Sequence, residues 1–144
     1  MRTVSQFLQQ NEHPVWSVNP ETPLPEALDL MAEKNIGAVI VLEGKRLVGI
    51  LSERDYARHV IRPTKPLTEI LVKEIMTHNV IHIGMDTLFE ECMALMTNQH
   101  IRHLPVLEKD QVVGMISIGD VVKEIIEEQD FHIQNLQKYI TGTR

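Results

Sequence analysis

GMISIGD, residues 114–120, decides how this chain is read, because GILSERD at 49–55 has the same frame 65 positions earlier. In both, a glycine is followed by two apolar residues, a serine, two variable residues and an aspartate. A shift of 65 aligns 15–61 with 80–126 without a gap. Val15/Val80, Thr22/Thr87, Glu26/Glu91, Leu30/Leu95, Met31/Met96, Ile36/Ile101 and Val41/Val106 are then identical pairs. Self-similarity at one fixed spacing marks a duplicated structural unit. VSQFL (4–8) resembles VKEIM (72–76) more loosely, the first copy being three residues longer before its strand. Two prolines in RPTKPLT (62–68) mark a linker. The chain is thus expected to divide into a first unit with its lead-in (1–61), a linker (62–68), a second unit (69–126) and a C-terminal helical extension (127–144).

Each copy predicts the same elements. A short strand (Val15–Val18; Val80–Ile83) leads into a helix whose apolar positions recur at helical spacing: Leu24, Ala27, Leu28 and Met31, then Phe89, Cys92, Met93 and Met96. Thr22 with Pro23 at the first helical position, and the capping box Thr87-Leu-Phe-Glu90, set the expected helix starts. AVIVL (38–42) and HLPVL (103–107) read as one strand, LVGIL (47–51) and VVGMI (112–116) as the next, with EGKR and EKDQ as turns. A final helix follows each aspartate. The order β-α-β-β-α, written twice, is an α+β fold. A unit of about 60 residues is near the lower limit for folding alone. Two pseudo-symmetric units packed sheet to sheet bury what either would leave wet, and leave two equivalent clefts where they meet.

Composition narrows the function. With 43% hydrophobic and 24% charged residues, the 144-residue chain is in the ordinary globular range. A net charge of −6 argues against a nucleic-acid binder, which needs a basic surface, but leaves room for a small anion held by local arginines or a helix N-terminus. Cys92 is the single cysteine, so no intrachain disulfide and no zinc ribbon can form. No apolar run approaches the roughly 18 residues of a membrane span. MRTVSQFLQQNEHP lacks the apolar stretch of a signal peptide. These features lead to the expectation of a cytoplasmic protein that touches neither membrane nor nucleic acid.

The repeated S-x-x-D has two readings. A serine followed three residues later by an acid, ahead of an apolar run, is a helix cap and needs no ligand. The same geometry also suits a nucleoside phosphate. Free N–H groups at a helix start attract phosphate, glycine permits close approach, serine donates to a phosphate oxygen, and an ionised aspartate accepts from ribose hydroxyls.

Gly49-Ile-Leu-Ser-Glu-Arg-Asp55, Gly114-Met-Ile-Ser-Ile-Gly-Asp120, Ile101-Arg-His-Leu-Pro-Val106 and the lead-in Val72-Lys-Glu-Ile-Met76 together resemble a tandem pair of CBS domains (cystathionine-beta-synthase domains) across nearly the whole chain. SERDYAR, IRHLPVL, SIGDVVKEII and QNLQKYITG are similar to stand-alone CBS-pair proteins of bacteria and plant organelles, in which no enzyme or transporter is attached. The resemblance implies binding of an adenosine ligand: AMP first, with ADP, ATP, NAD(H) or S-adenosylmethionine as others. It places ribose contacts at Asp55 and Asp120 and phosphate contacts at Ser52 and Ser117. Adenine-facing positions fall at Ile101, Arg102, His103 and Pro105, with Ile36 to Ile40, Ala38 among them, as first-copy counterparts. There the sequence departs from the pattern: Ile40 replaces proline, and Gly37-Ala38 replaces Arg102-His103. Arg54 and Arg102 are candidate phosphate partners because a guanidinium fork matches phosphate oxygens. Gly119 stands where Arg54 does in the first copy, so the two sites should differ.

Other signals are weaker. His100-x-x-His103 and His78-x-x-x-His82 have metal-like spacing but no completing carboxylate. No catalytic constellation, phosphate-binding G-x-x-x-x-G-K-[ST] loop or G-x-G-x-x-G fingerprint stands out. Val122, Ile126, Gln129, Ile133, Leu136 and Ile140 step by 4, 3, 4, 3, 4, a short heptad seam. Such a seam packs on the chain's own core or against a second copy. CBS pairs commonly dimerise, so a homodimer through the pair faces and this helix is expected. The reading overall is a non-catalytic adenine-nucleotide sensor of energy or redox state acting through an unidentified partner protein. Its rival is a constitutive dimeric interaction module whose Ser and Asp only cap helices.

Overall fold

The computed structural model of the chain describes residues 2–11, 14–63 and 65–140, with side chains as far as 138. Thr64 of the linker, the heptad side chain of Ile140 and the ends of the expected divisions at 1 and 144 lie outside the described residues.

After α1 (Val4–Gln10), the first unit runs β1 (Ser17–Val18), α2 (Leu24–Lys34), β2 (Ala38–Glu43), β3 (Arg46–Ser52) and α3 (Glu53–Ile61). A 3-10 turn (Leu67–Glu69) and α4 (Val72–Ile75) lead to the second: β4 (Ile83–Gly84), α5 (Phe89–Gln99), β5 (His103–Glu108), β6 (Gln111–Ser117) and α6 (Ile118–Ile140). Each unit holds a three-stranded sheet in sequence order. Its first strand is parallel to the second, which is antiparallel to the third. The duplication extends to irregularities. Bulges fall between Val41 and Leu42 and between Val106 and Leu107. Asn35 and His100 end α2 and α5 in the left-handed region, at φ 53° and 55°.

Three local expectations are corrected. The first strand of each unit is only two residues long. Thr22 and Thr87 do not cap the helices. Their hydroxyls accept from the N–H of Asn19 (3.1 Å) and Gly84 (3.2 Å), closing the turn before the helix. α2 instead starts after Pro23, and at α5 the Glu91 carboxylate accepts from the N–H of Leu88 (3.4 Å). Finally, α3 and α6 begin directly after the serine, so each aspartate lies inside the first turn, because the serine is the cap.

The lead-in segments cross over. Val4 and Phe7 of α1 are buried with Ile83, Phe89, Cys92, Met96, Leu104, Val106 and Ile116 of the second unit. Ile70, Val72 and Met76 are buried with Leu24, Ala27, Met31, Val39, Val41 and Leu51 of the first. Backbone bonds secure both exchanges. The N–H of Val4 donates to Thr87 O (2.8 Å) and that of Ser5 to Met85 O (2.9 Å). Leu24 N–H donates to Ile70 O (2.8 Å) and Val72 N–H to Thr22 O (2.9 Å). Arg2 adds an ion pair to the buried Glu124 on α6, with Nη1 3.3 Å from Oε2. Its Nε lies 3.1 Å from Oε1 but off the line of a hydrogen bond.

Each sheet thus packs one face on helices, including the exchanged one. On the other face, Ala38 and Ile40 are fully buried outside the helix-side core, where β3 and β6 bring the two sheets together. α6 packs on the second core through Val121 and Ile125, with Glu124 buried beside them. Its heptad positions Val122, Ile126, Ile133 and Leu136 are exposed, up to 59% at Leu136.

The glycine of the repeated frame answers to this exchange. A Cβ on Gly49 would stand 2.5 Å from Met76 Sδ and 3.1 Å from the Thr77 carbonyl oxygen. A Cβ on Gly114 would stand 2.9 Å from Leu8 Cδ1. Leu8 and Met76 are the corresponding last residues of VSQFL and VKEIM. The close approach that glycine permits is therefore that of the crossing segment. Gly49→Ala is expected to cost about 1–3 kcal/mol by overpacking, since the Thr77 carbonyl is held by the Ile50 N–H (3.0 Å) and cannot yield. Gly114→Ala should cost less, because the end of Leu8 can rotate away. Urea unfolding of the two variants gives the comparison, and equal or reversed costs would refute this explanation.

Candidate functional site

α3 starts where it does because Ser52 closes a reciprocal cap. Its Oγ accepts from the N–H of Asp55 (3.2 Å), and the Asp55 carboxylate accepts from the N–H (2.9 Å) and hydroxyl (3.0 Å) of Ser52. The second copy repeats it: Ser117 N–H to Asp120 Oδ2 at 2.9 Å, Asp120 N–H to Ser117 Oγ at 3.2 Å. Both frames cap helices, as the simpler reading expects. Neither carboxylate is thereby saturated. A carboxylate has about four acceptor positions. At Asp55 the cap uses Oδ2, while among the described residues Oδ1 receives only the Thr77 hydroxyl (3.2 Å).

Asp55 lies at the wall of a cleft of ≈ 520 Å³ between the units. That volume is within the range of small-molecule sites. The end of β3 contributes Ser52, and α3 contributes Glu53, Arg54, Asp55 and Arg58. The second unit contributes the strand lead-in Thr77 to Ile81, apart from His78, and the turn from Gln99 through His103. Ile50, Val80, Ile81, Ile101 and Ile118 form an apolar wall; Arg54, Arg58 and Arg102 are exposed cations at its polar side. Arg54 crosses between units, its Nη1 2.7 Å from the carbonyl of His100, which the left-handed turn presents. Two shallower hollows lie at the outer edges, around Thr22 and Thr87. The larger is lined by Glu26, Asp29 and Glu33, the wrong charge for a phosphate.

Of the residues singled out from sequence, Ser52, Arg54, Asp55, Ile101, Arg102 and His103 line this one cleft. Ser117, Asp120, Pro105, Ile36 and Ala38 are not among its walls. Ser117 stands opposite His103 in the β5–β6 register, and Ala38 opposite Ser52. Pro105 is buried in β5, and Ile36 packs on the first unit's core.

The CBS domain profile matches residues 4–62 and again 72–127. The chain belongs to the CBS-domain family. As a CBS pair it is 35% identical over 133 residues to the mitochondrial CBS domain-containing protein CBSX3 of Arabidopsis thaliana, covering 89% of this chain and 64% of that protein. This CBS chain thus spans somewhat under two thirds of that curated relative. A CBS-domain structure from Burkholderia ambifaria has 41% identity, with a TM-score of 0.84 over 89% of this chain and 96% of that one. Two more distant CBS structures share the fold. A Pyrobaculum aerophilum protein complexed with AMP has 23% identity and a TM-score of 0.73, covering 83% and 89%. A CBS pair complexed with 5′-methylthioadenosine and S-adenosyl-L-methionine has 22% identity and a TM-score of 0.78, covering 88% and 98%. No helix among the described residues of this CBS pair is long and apolar enough to cross a membrane.

Arg58 and the segment from Thr77 to Ile81 line the cleft without having been singled out from sequence. Arg58 had a signal: it follows Arg54 by four on a helix, hence on the same face. The strand lead-in had none, because the two copies differ in length just there.

His103 joins the cleft to the second S-x-x-D. Its Nε2 is 3.4 Å from where a Cβ on Gly37 would lie. Burial holds its pKa below the ordinary 6.5, with Arg102 adding to that, while Glu53 and Asp120 oppose it. The folded protein therefore binds fewer protons here than the unfolded chain as the pH drops below about 6.5, and stability falls with it. His103→Gln should flatten that part of the profile, measured by urea unfolding from pH 7.5 to 5. An unchanged slope would show that His103 does not carry it.

Proposed function

We propose that the cleft between the two CBS units takes an adenine nucleotide (AMP, ADP, ATP or NAD(H)) as a regulatory ligand, without turning it over. The observation carrying this is the meeting in one cleft of three components. Asp55 retains acceptor capacity on Oδ1, Arg54, Arg58 and Arg102 offer guanidinium forks, and Ile50, Val80, Ile81, Ile101 and Ile118 form an apolar wall. Ribose hydroxyls, phosphate and a flat base are the groups these components suit. The AMP and S-adenosylmethionine complexes of distant CBS proteins support the same ligand class. Because α3 comes from one unit and the Thr77 and His100 segments from the other, occupancy changes the energy of their relative placement. Such a ligand can report energy or redox state to a partner protein, provided it binds two arrangements unequally.

The functional unit in this reading is a homodimer. Ile61 and Ile126 occupy equivalent positions of α3 and α6 and are 77% and 55% exposed; on α6, Val122, Ile133 and Leu136 are exposed as well. A second copy would cover these faces isologously. Sedimentation should give twice the chain mass, and Ile126→Asp with Leu136→Asp should give the monomer. A monomeric parent chain would refute this arrangement.

The completed helix caps favour a second reading, a constitutive interaction module in which Ser52 and Asp55 are purely structural. Calorimetric titration separates the two. In the ligand reading, Asp55→Ala weakens nucleotide binding about ten- to a hundredfold, through loss of hydrogen bonds to a charged acceptor. In the module reading no adenine compound binds, and the same change costs only the about 1 kcal/mol of a lost cap.

A further inference from the structure

We infer that the Asp55 cleft is built for an adenine nucleotide carrying more than one phosphate. This rests on the reading of the cleft given above and adds the class of ligand. AMP presents one phosphate, which one or two guanidinium forks suffice to match. The cleft offers three. Arg54 and Arg58 stand one helical turn apart on α3, and Arg102 reaches in from the start of β5 in the other unit. Like charges four residues apart repel on a helix, and with Glu53 and Asp55 as the carboxylates lining the same cleft the arginines outnumber the acids three to two. Arg54 is pre-positioned by its bond to the His100 carbonyl. Arg58 and Arg102 have no hydrogen bond or ion pair from their side chains among the described residues.

The duplication supplies an internal control. The positions matching Arg54, Arg58 and Arg102 are Gly119, Lys123 and Gly37, so the counterpart set holds no guanidinium. Lys34, matching Gln99, is drawn over the Trp16 ring, 4.4 Å from its centroid. The structural frame is therefore repeated, while the guanidinium cluster belongs to the Asp55 side alone. A phosphate chain running from Arg58 and Arg54 to Arg102 would bridge the units. Phosphate count would then set how strongly they are tied, distinguishing ATP from AMP.

Calorimetric titration with adenosine, AMP, ADP and ATP, at fixed ionic strength and without divalent metal, tests this. The parent chain should bind ATP about tenfold or more tightly than AMP, from added charge-assisted bonds. In the Arg58→Gln, Arg102→Gln double variant the ratio of the AMP and ATP dissociation constants should collapse towards one. Both substitutions are at exposed positions, and a melting curve confirms that the variant folds. Equal affinity for AMP and ATP in the parent, or an unchanged ratio in the double variant, overturns the inference. Failure of adenosine and all three nucleotides to bind overturns the reading of the cleft, and this inference with it.

Discussion

The N–H of Leu24 donates to the carbonyl of Ile70, and that of Val4 to Thr87, and between them these bonds hold each crossing segment in the other unit's core. A three-stranded sheet with one long helix cannot cover both its faces. Each unit solves this by borrowing: α1 fills the helix side of the second core, Ile70 to Met76 that of the first. The opposite sheet faces then meet each other. Separation of the units would expose two cores at once, so the pair is expected to behave as one cooperative body.

That constraint also places the site. The segment leaving Met76 must pass Gly49, where the Ile50–Thr77 backbone pair fixes it beside β3. The path brings the Thr77 hydroxyl to Asp55 and sets Val80 and Ile81 opposite α3. Across the cleft, the left-handed turn at His100 brings Ile101 and Arg102 to the same space and gives Arg54 its carbonyl. The cleft is thus a product of the crossing: both units line it, and Ile81 and Ile101 of its wall pack directly on the second core.

Much of this was legible in the sequence. The strands showed as short apolar runs, and the repeat confirmed each by its partner. Ser52 and Asp55 were legible as a cap, which the structure bears out; the nucleotide contact proposed for them needs the same residues in the same frame. What the sequence hid was long-range. The exchange leaves no local periodicity, and its two segments align only loosely, so the lead-in grouped by order with the first unit while its contacts are with the second. Gly49 read as a point of close approach, without saying what approaches; Met76 and the Thr77 backbone do. The end of α6 was open to packing inward or outward, and the exposure of Ile126, Ile133 and Leu136 shows that it does not return to this chain's core.

If the two CBS units share one nucleotide cleft, a bound nucleotide must quiet both of them at once. Hydrogen–deuterium exchange of the intact chain with and without saturating ATP tests it most directly. Exchange should slow in three segments together: 50–58, 77–81 and 99–103. Protection confined to one unit, or found around the outer hollows at Thr22 and Thr87, would contradict it.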